Sequence, residues 1–366
     1  MNTLTKFRWS IGIVTMLASL IVQAYPGESI VLDPVTGNYT ITYWDDVTYG
    51  DTAFEQPSLR HTTFVPATKI IPAIRSKFRL NGANDVAYSY TVSNGASAKQ
   101  AIVGLSLEQT ARVKGERDFP AITATADEVE QAIFANMSAL DSPENWGGNI
   151  YSARQTRIVW RPDDLETGGV KAGRAQAGFG FLSPALPGVS EARMEGIGAV
   201  FGYAGDGLAM DSAIRPELDR LTKNDFIARP AAVPTIAVPT PFDPAVTLER
   251  IQSHTHTWIG MSLLDATFSA QLDRYFQAAI SAYRLNQPKI GKEHIQTMRE
   301  LIKKEHADAD REDDNDDRSE KGDQDDMNKR ALIDKLAARV LDFDLKYVLK
   351  RMEHEQEEGE QKKKRD

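Results

Sequence analysis

The sequence contains no cysteine. A disulfide framework, a thiol nucleophile and a thiolate metal site are therefore excluded, and the fold must be held by its core alone. An excess of positive charge is also missing. Lysine and arginine number 43 against 52 aspartates and glutamates, a formal charge of −9. Most of the deficit sits between His306 and Asp326, where eleven acidic residues face three basic ones. The rest of the chain is nearly balanced, so no broad basic face and no nucleic-acid partner are expected.

Catalytic and nucleotide motifs are missing as well. There is no GxxxxGK[ST] loop and no GxGxxG opening a helix, although "GGVKAGRAQAGFGFLSPALPG" is rich in glycine. There is no GxSxG elbow, HExxH helix or SxxK pattern. Together these absences point to an exported binding or structural protein of the bacterial envelope or extracellular space rather than an enzyme. An extracellular hydrolase acting on carbohydrate, its carboxylates scattered in sequence, is the alternative.

What is present begins with a leader. Lys6 and Arg8 precede the 14 uncharged residues "WSIGIVTMLASLIV", and "VQA" follows. This pattern predicts a secretory signal over residues 1–24, cleaved after Ala24. Fourteen residues fall short of the ~20 that span a bilayer. The mature chain is expected to be secreted or periplasmic, with no membrane span.

From 25 to 228 the pattern is mainly that of strands. Tyr39, Ile41 and Tyr43 alternate, as do Val86, Tyr88, Tyr90 and Val92, and again Val103, Leu105 and Leu107. Asn38 and Asn94-Gly95 mark turns. Thr125 and Glu128 fit a capping box ahead of one helix, with Val129, Ala132, Ile133, Met137 and Leu140 as its stripe. "RPAAVPTIAVPTPFDP" has five prolines in sixteen residues. It reads as a semi-rigid linker over 229–243. Asp243 and Pro244 then cap a helix.

Residues 244–352 carry helical stripes: Leu272, Phe276, Ile280 and Tyr283; Ile295, Met298, Leu301 and Ile302; Leu332, Leu336, Val340, Phe343 and Val348. The acidic stretch 306–328 reads as a disordered insertion, and 353–366 as a charged tail that frays. The predicted fold is α+β overall: a mainly β, β-sandwich-like N-terminal domain with one helix, followed by an α-helical C-terminal bundle.

"QLDRYFQAAISAYRLNQPKIGKEHIQTMRELIKKEHADAD" and "RALIDKLAARVLDFDLKYVLKRM" resemble the FIMAH-type helical module found at the ends of bacterial exported proteins. The resemblance covers roughly 265–352, is interrupted by the acidic insertion, and implies helix hairpins with no catalytic role. "AYSYTVSNGASAKQAIVGLSL" and "GGVKAGRAQAGFGFLSP" look like bacterial exported β-sandwich proteins of unassigned function.

Four groups of residues are candidates for chemistry. Asp308, Asp310, Asp313, Asp314, Asp316 and Asp317 supply carboxylate oxygens of the kind calcium takes. Asp308 and Asp310 have EF-hand spacing, but Asp313 stands where the turn glycine is needed. Weak calcium association, or a calcium-responsive interaction module, is the most that pattern carries. His254 and His256 on a strand would share a metal, but on a helix their rings diverge by about 200°. Trp258 then reads as core. Asp163, Asp164 and Glu166 near Trp160 offer a glycosidase-like carboxylate pair, set against a plain turn. Asp206 and Asp211 lie in a glycine-rich loop. The expected partner is carbohydrate or another envelope protein, with no resident cofactor.

Overall fold

The computed structural model describes residues 27–45, 58–82, 84–109, 111–118, 125–152, 156–197, 212–306 and 331–363. The leader, the six acidic-run aspartates and the loop holding Asp206 and Asp211 lie outside these residues. No described helix is long and apolar enough to cross a membrane. The chain divides into two units.

One unit takes residues 1–66 and 198–224. Strands β1 (Ser29–Leu32), β2 (Tyr39–Asp45) and β3 (Ser58–Phe64) form an antiparallel sheet in that order. A small core joins Ile41 and Phe64 to Ile214 and Leu218, the latter on helix α2 (Arg215–Lys223).

The other unit takes residues 67–197 and 225–366. Its four-stranded sheet runs β4 (Pro72–Asn81), β5 (Asp85–Asn94), β10 (Ala175–Ser183), β7 (Leu140–Asp141). Its five-stranded sheet runs β12 (Ile227–Ile236), β11 (Leu186–Gly196), β6 (Ile102–Gln109), β9 (Thr156–Pro162), β8 (Trp146–Ser152). The alternating residues Val86, Tyr88, Tyr90 and Val92 point inward and are buried. They meet the second sheet through an aromatic layer. Trp160 lies 5.7 Å from Phe179 edge-on, 6.3 Å from Phe181 stacked and 6.4 Å from Tyr90. Fully burying a side chain such as Phe179 contributes about 1.5–3 kcal/mol.

Helix α1 (Ala126–Ser138) starts at Thr125, with the reciprocal Thr125–Glu128 capping box in place. Helices α3 (Pro244–Gly260), α4 (Ala266–Arg284), α5 (Pro288–Glu305) and α6 (Lys335–Lys363) follow the sheets. Asp243 caps α3 through Val246 N–H, with Pro244 at its first turn. Asp265 and Asp334 stand at the starts of α4 and α6. Their backbones bond across an antiparallel bridge, Asp265 N–H to Leu332 O at 2.8 Å and Asp334 N–H to Leu263 O at 2.7 Å.

Three expectations are corrected. First, the helices are spread through the chain and do not form one C-terminal bundle. The described residues hold six, two of them (α1 and α2) inside the part read as β with one helix. Leu248, Phe276, Met298 and Val348 join the sheet residues in one continuous core. The physical cause is visible at Phe78, an inward residue of β4. It meets Phe343 of α6 edge-on at 5.1 Å, so α6 fills the space beside the sheet.

Second, residues 229–236 of the supposed linker are part of β12. Ala231, Ala232 and Val233 are fully buried. β12 is an edge strand, where proline is tolerated. Ala232 N–H points away from β11, donating to Ser76 Oγ of β4 at 3.0 Å. Pro230 and Pro234 share that parity, so their missing N–H groups remove nothing from the β11–β12 ladder. Third, α6 continues to Lys363, through most of the tail expected to fray.

Candidate functional site

The structure disposes of the sequence candidates individually. His254 and His256 lie on α3 and diverge. His254 packs edge-on to Trp258, ring centroids 5.8 Å apart, and its Nε2 lies 3.4 Å from Thr235 Oγ1. Burial pushes its pKa down. Gly188 of β11 makes room for that ring, since a methyl there would overlap both His254 and Thr235. His256 turns to α4, with Nε2 2.8 Å from Asp273 Oδ1. Trp258 is buried in the shared core.

Asp163, Asp164 and Glu166 sit in an exposed turn after β9. Asp164 accepts from Glu166 N–H at 2.9 Å and from Thr167 N–H and its hydroxyl. These bonds, the Thr167 hydroxyl first, lower its pKa. Asp164 therefore closes a turn. Among the described residues, no three His, Asp or Glu side chains gather as metal ligands.

Two features escaped the sequence reading. Asp344 of α6 is fully buried, and neither carboxylate oxygen has a hydrogen-bond partner. Burial holds its pKa well above the ordinary carboxylate range. Tyr88 is close enough to feel it, while Tyr88 and Tyr90 give their own hydroxyl hydrogens to Ala185 O at 2.9 Å and Ala232 O at 2.8 Å. Asp344 occupies the apolar stripe between Val340 and Val348, and that position was its sequence signal. With no exposed atom surface it offers substrate no direct contact.

The second feature is the outer face of the four-stranded sheet. On β4 the outward residues are Ala73, Arg75, Lys77 and Arg79, all exposed. Opposite them on β5 stand Ser93, Thr91, Ser89 and Ala87, and beyond those on β10 stand Ala175, Ala177, Gly180 and Leu182. Asp141 of β7 lies opposite Gly180 on the same face. Exposed Lys99, Lys171 and Arg174 stand at the Asn94 end. Buried Asn94 fastens that end: its Oδ1 accepts from Ile71 N–H at 3.0 Å, and its Nδ2 donates to Gln100 O at 2.8 Å and Val170 O at 3.0 Å. A local basic face therefore exists where near-neutral composition predicted no broad one. The alternation of cations in "AIRSKFRL" was its signal.

The five-stranded sheet has a different outer face. Arg161 pairs with Glu195 at 2.6 Å across Gly104, and Arg193 with Glu108 at 3.3 Å. Arg193 also covers the Phe226 ring at 4.7 Å, and Arg157 the Tyr151 ring at 5.5 Å. Arg161 and Arg193 are thus paired within the sheet, and Arg157 rests on a ring.

Comparison of the chain with protein-family models, with curated proteins and with solved structures gives no match. Function therefore has to be argued from these surfaces alone.

Proposed function

We propose that the chain is an exported, non-enzymatic binding or structural protein, secreted or periplasmic, whose ligand lies on the outer face of the β4–β5–β10–β7 sheet. One observation carries this reading: that face leaves a row of small and hydroxylated side chains bordered by cations. A sheet face of this kind offers hydrogen-bonding groups and charge over a wide area, which suits an extended ligand better than a small molecule. The leader-like sequence of residues 1–24 supports export. The acidic and histidine side chains that looked catalytic in sequence have turn or packing roles where they are described, which favours a binder over the hydrolase.

Incubation of the protein with carbohydrates and envelope material tests the reading. Retention of intact polymer is the expected result. Release of new reducing ends would replace the binder with the glycosidase alternative. Amino-terminal sequencing of the mature protein is expected to begin at Tyr25, and an intact Met1 in the cytosolic fraction would remove the export claim.

A further inference from the structure

We infer that the outer face of the four-stranded sheet binds a linear acidic polysaccharide, one whose sugars carry regularly repeated carboxylates; this rests on the binding-protein reading and names its ligand class. Arg75, Lys77 and Arg79 occur at every second residue of one strand, so their side chains repeat at about 6.6–6.8 Å along it. Ten residues of β4 give a track of roughly 33 Å. Lys99, Lys171 and Arg174 extend it beyond the Asn94 end. Among the described residues, Arg79, Lys99, Lys171 and Arg174 enter no ion pair, whereas Arg75 and Lys77 also hold contacts elsewhere in the chain. The acidic residues at this sheet are Asp141, three strands from Lys77, and Asp85, already bound by Lys114 at 2.5 Å. Positive charge outside any ion pair is thus left at both ends of this border, on Arg79 and on the Lys99, Lys171 and Arg174 cluster.

The alternative explanation of such cations is protection of an exposed sheet edge against pairing with other chains. On β4 that explanation covers only part of the basic group. β12 lies beside the strand: its Ala232 N–H donates to the inward Ser76 Oγ, and Arg229 Nε donates to the edge carbonyl Pro72 O at 3.1 Å. Lys99, Lys171 and Arg174 stand on loops, where edge protection does not apply.

The partner's chemistry follows from the rest of the face. Ser89, Thr91 and Ser93 give hydroxyls that exchange hydrogen bonds with sugar hydroxyls. The small neighbours Ala87, Ala175, Ala177 and Gly180 leave a polymer room to lie flat. Nucleic-acid binders that follow a single strand stack bases on aromatic side chains, and this face presents none. Membrane-surface binders insert several large apolar groups, and here the large apolar side chains are exposed Ile71 at the Asn94 end and half-buried Leu182.

The test uses the full mature chain in calorimetric titration against polygalacturonate, neutral dextran, oligo-dT and anionic phosphatidylglycerol vesicles. Polygalacturonate binding is expected, weakening steeply with added salt because the contacts are exposed. The triple variant Arg79→Ser, Lys171→Ser, Arg174→Ser is expected to lose at least about tenfold in affinity, the scale on which clustered charge raises local ligand concentration. Arg161→Ser on the opposite sheet should leave affinity unchanged. An unchanged melting temperature shows that the triple variant is folded. No binding to polygalacturonate, an unchanged triple variant, or tighter binding to oligo-dT or vesicles would overturn the inference. Retention of dextran with no response to the triple variant would overturn it while leaving the binder reading standing. Cleavage of any polymer would instead remove the binder reading.

Discussion

Asp342 and Asp344 stand two residues apart on α6 and are almost equally buried, yet only Asp342 has partners. It receives Arg299 Nε at 2.7 Å and Lys346 Nζ at 2.9 Å. Neither oxygen of Asp344 receives anything. Two residues on a helix diverge by about 200°, so one carboxyl faces α5 and the other faces the tyrosines of β5. Substitutions should therefore differ in sign. Asp342→Asn removes the buried negative charge that Arg299 and Lys346 both meet and is expected to cost roughly 3 kcal/mol. Asp344→Leu removes an uncompensated buried carboxyl and is expected to gain about 1–3 kcal/mol at pH 7. Urea unfolding of both variants measures the two signs, and a loss in both would refute the distinction.

The pH dependence of Asp344 has a definite direction. Its pKa in the fold is raised by burial. Below about pH 4 the folded and unfolded chains both hold the proton. Above that, the unfolded chain releases it and the fold does not. Stability then falls by about 1.4 kcal/mol per pH unit until the buried carboxyl itself ionises. Tyr88 and Tyr90, the titratable neighbours from β5, are themselves raised by burial and stay neutral through this window. Asp344→Asn abolishes this contribution, so the variant should gain on the wild type as pH rises from 4 to 7. Denaturation at pH 4, 5.5 and 7 tests it, and a constant difference between the two proteins would sink the assignment.

Much of the secondary structure was legible because it is written in local periodicity. Tyr88 and Tyr90 alternate and are buried; Thr125 and Glu128 cap their helix; Asp243 and Pro244 open α3. What failed was the assignment of partners. The stripe Leu336, Val340, Phe343 and Val348 announces a helix with a buried side, but any apolar surface satisfies it. Phe78 of β4, more than 250 positions earlier, supplies part of that surface. Proline density misled for a related reason: composition predicts a linker, whereas an edge strand needs only alternate N–H groups. Of the candidate site, the Arg75–Lys77–Arg79 alternation was readable. Lys99, Lys171 and Arg174 were not, because the sheet register brings them to its end.

Strand β12 tolerates proline at alternate positions only. Ala231 and Ala232 are adjacent and equally buried, but their N–H groups point to opposite sides. Ala231→Pro removes a ladder donor to β11, leaves a buried carbonyl there unpaired and is expected to cost about 1–3 kcal/mol on top of the clash with the ladder. Ala232→Pro loses the bond to Ser76 and is expected to cost about 1 kcal/mol beyond local strain. Thermal unfolding ranks them, and equal losses would mean that β12 is not paired in this register.

Asn94 separates a hydrogen-bonding role from a space-filling one. It is buried, accepts from one N–H and donates to two carbonyls, those of Gln100 and Val170. Asn94→Ala takes the side-chain partner from Ile71 N–H and Gln100 O, at about 1–3 kcal/mol for each that water cannot reach, while Val170 O keeps the N–H of Ile102 at 3.0 Å. Asn94→Asp keeps the acceptor facing Ile71 but turns carboxylate lone pairs toward the two carbonyl oxygens. Repulsion then adds to the missing bonds, so the near-isosteric change should be the worse of the two at neutral pH. Acidification protonates the new carboxyl, restores one donor and should narrow the gap. The loops carrying Lys99, Lys171 and Arg174 hang from the same side chain. Hydrogen exchange at Gln100 and Val170 in Asn94→Asp should therefore rise together with a loss of polygalacturonate affinity, and rigid loops with unchanged exchange would show that Asn94 does not hold them.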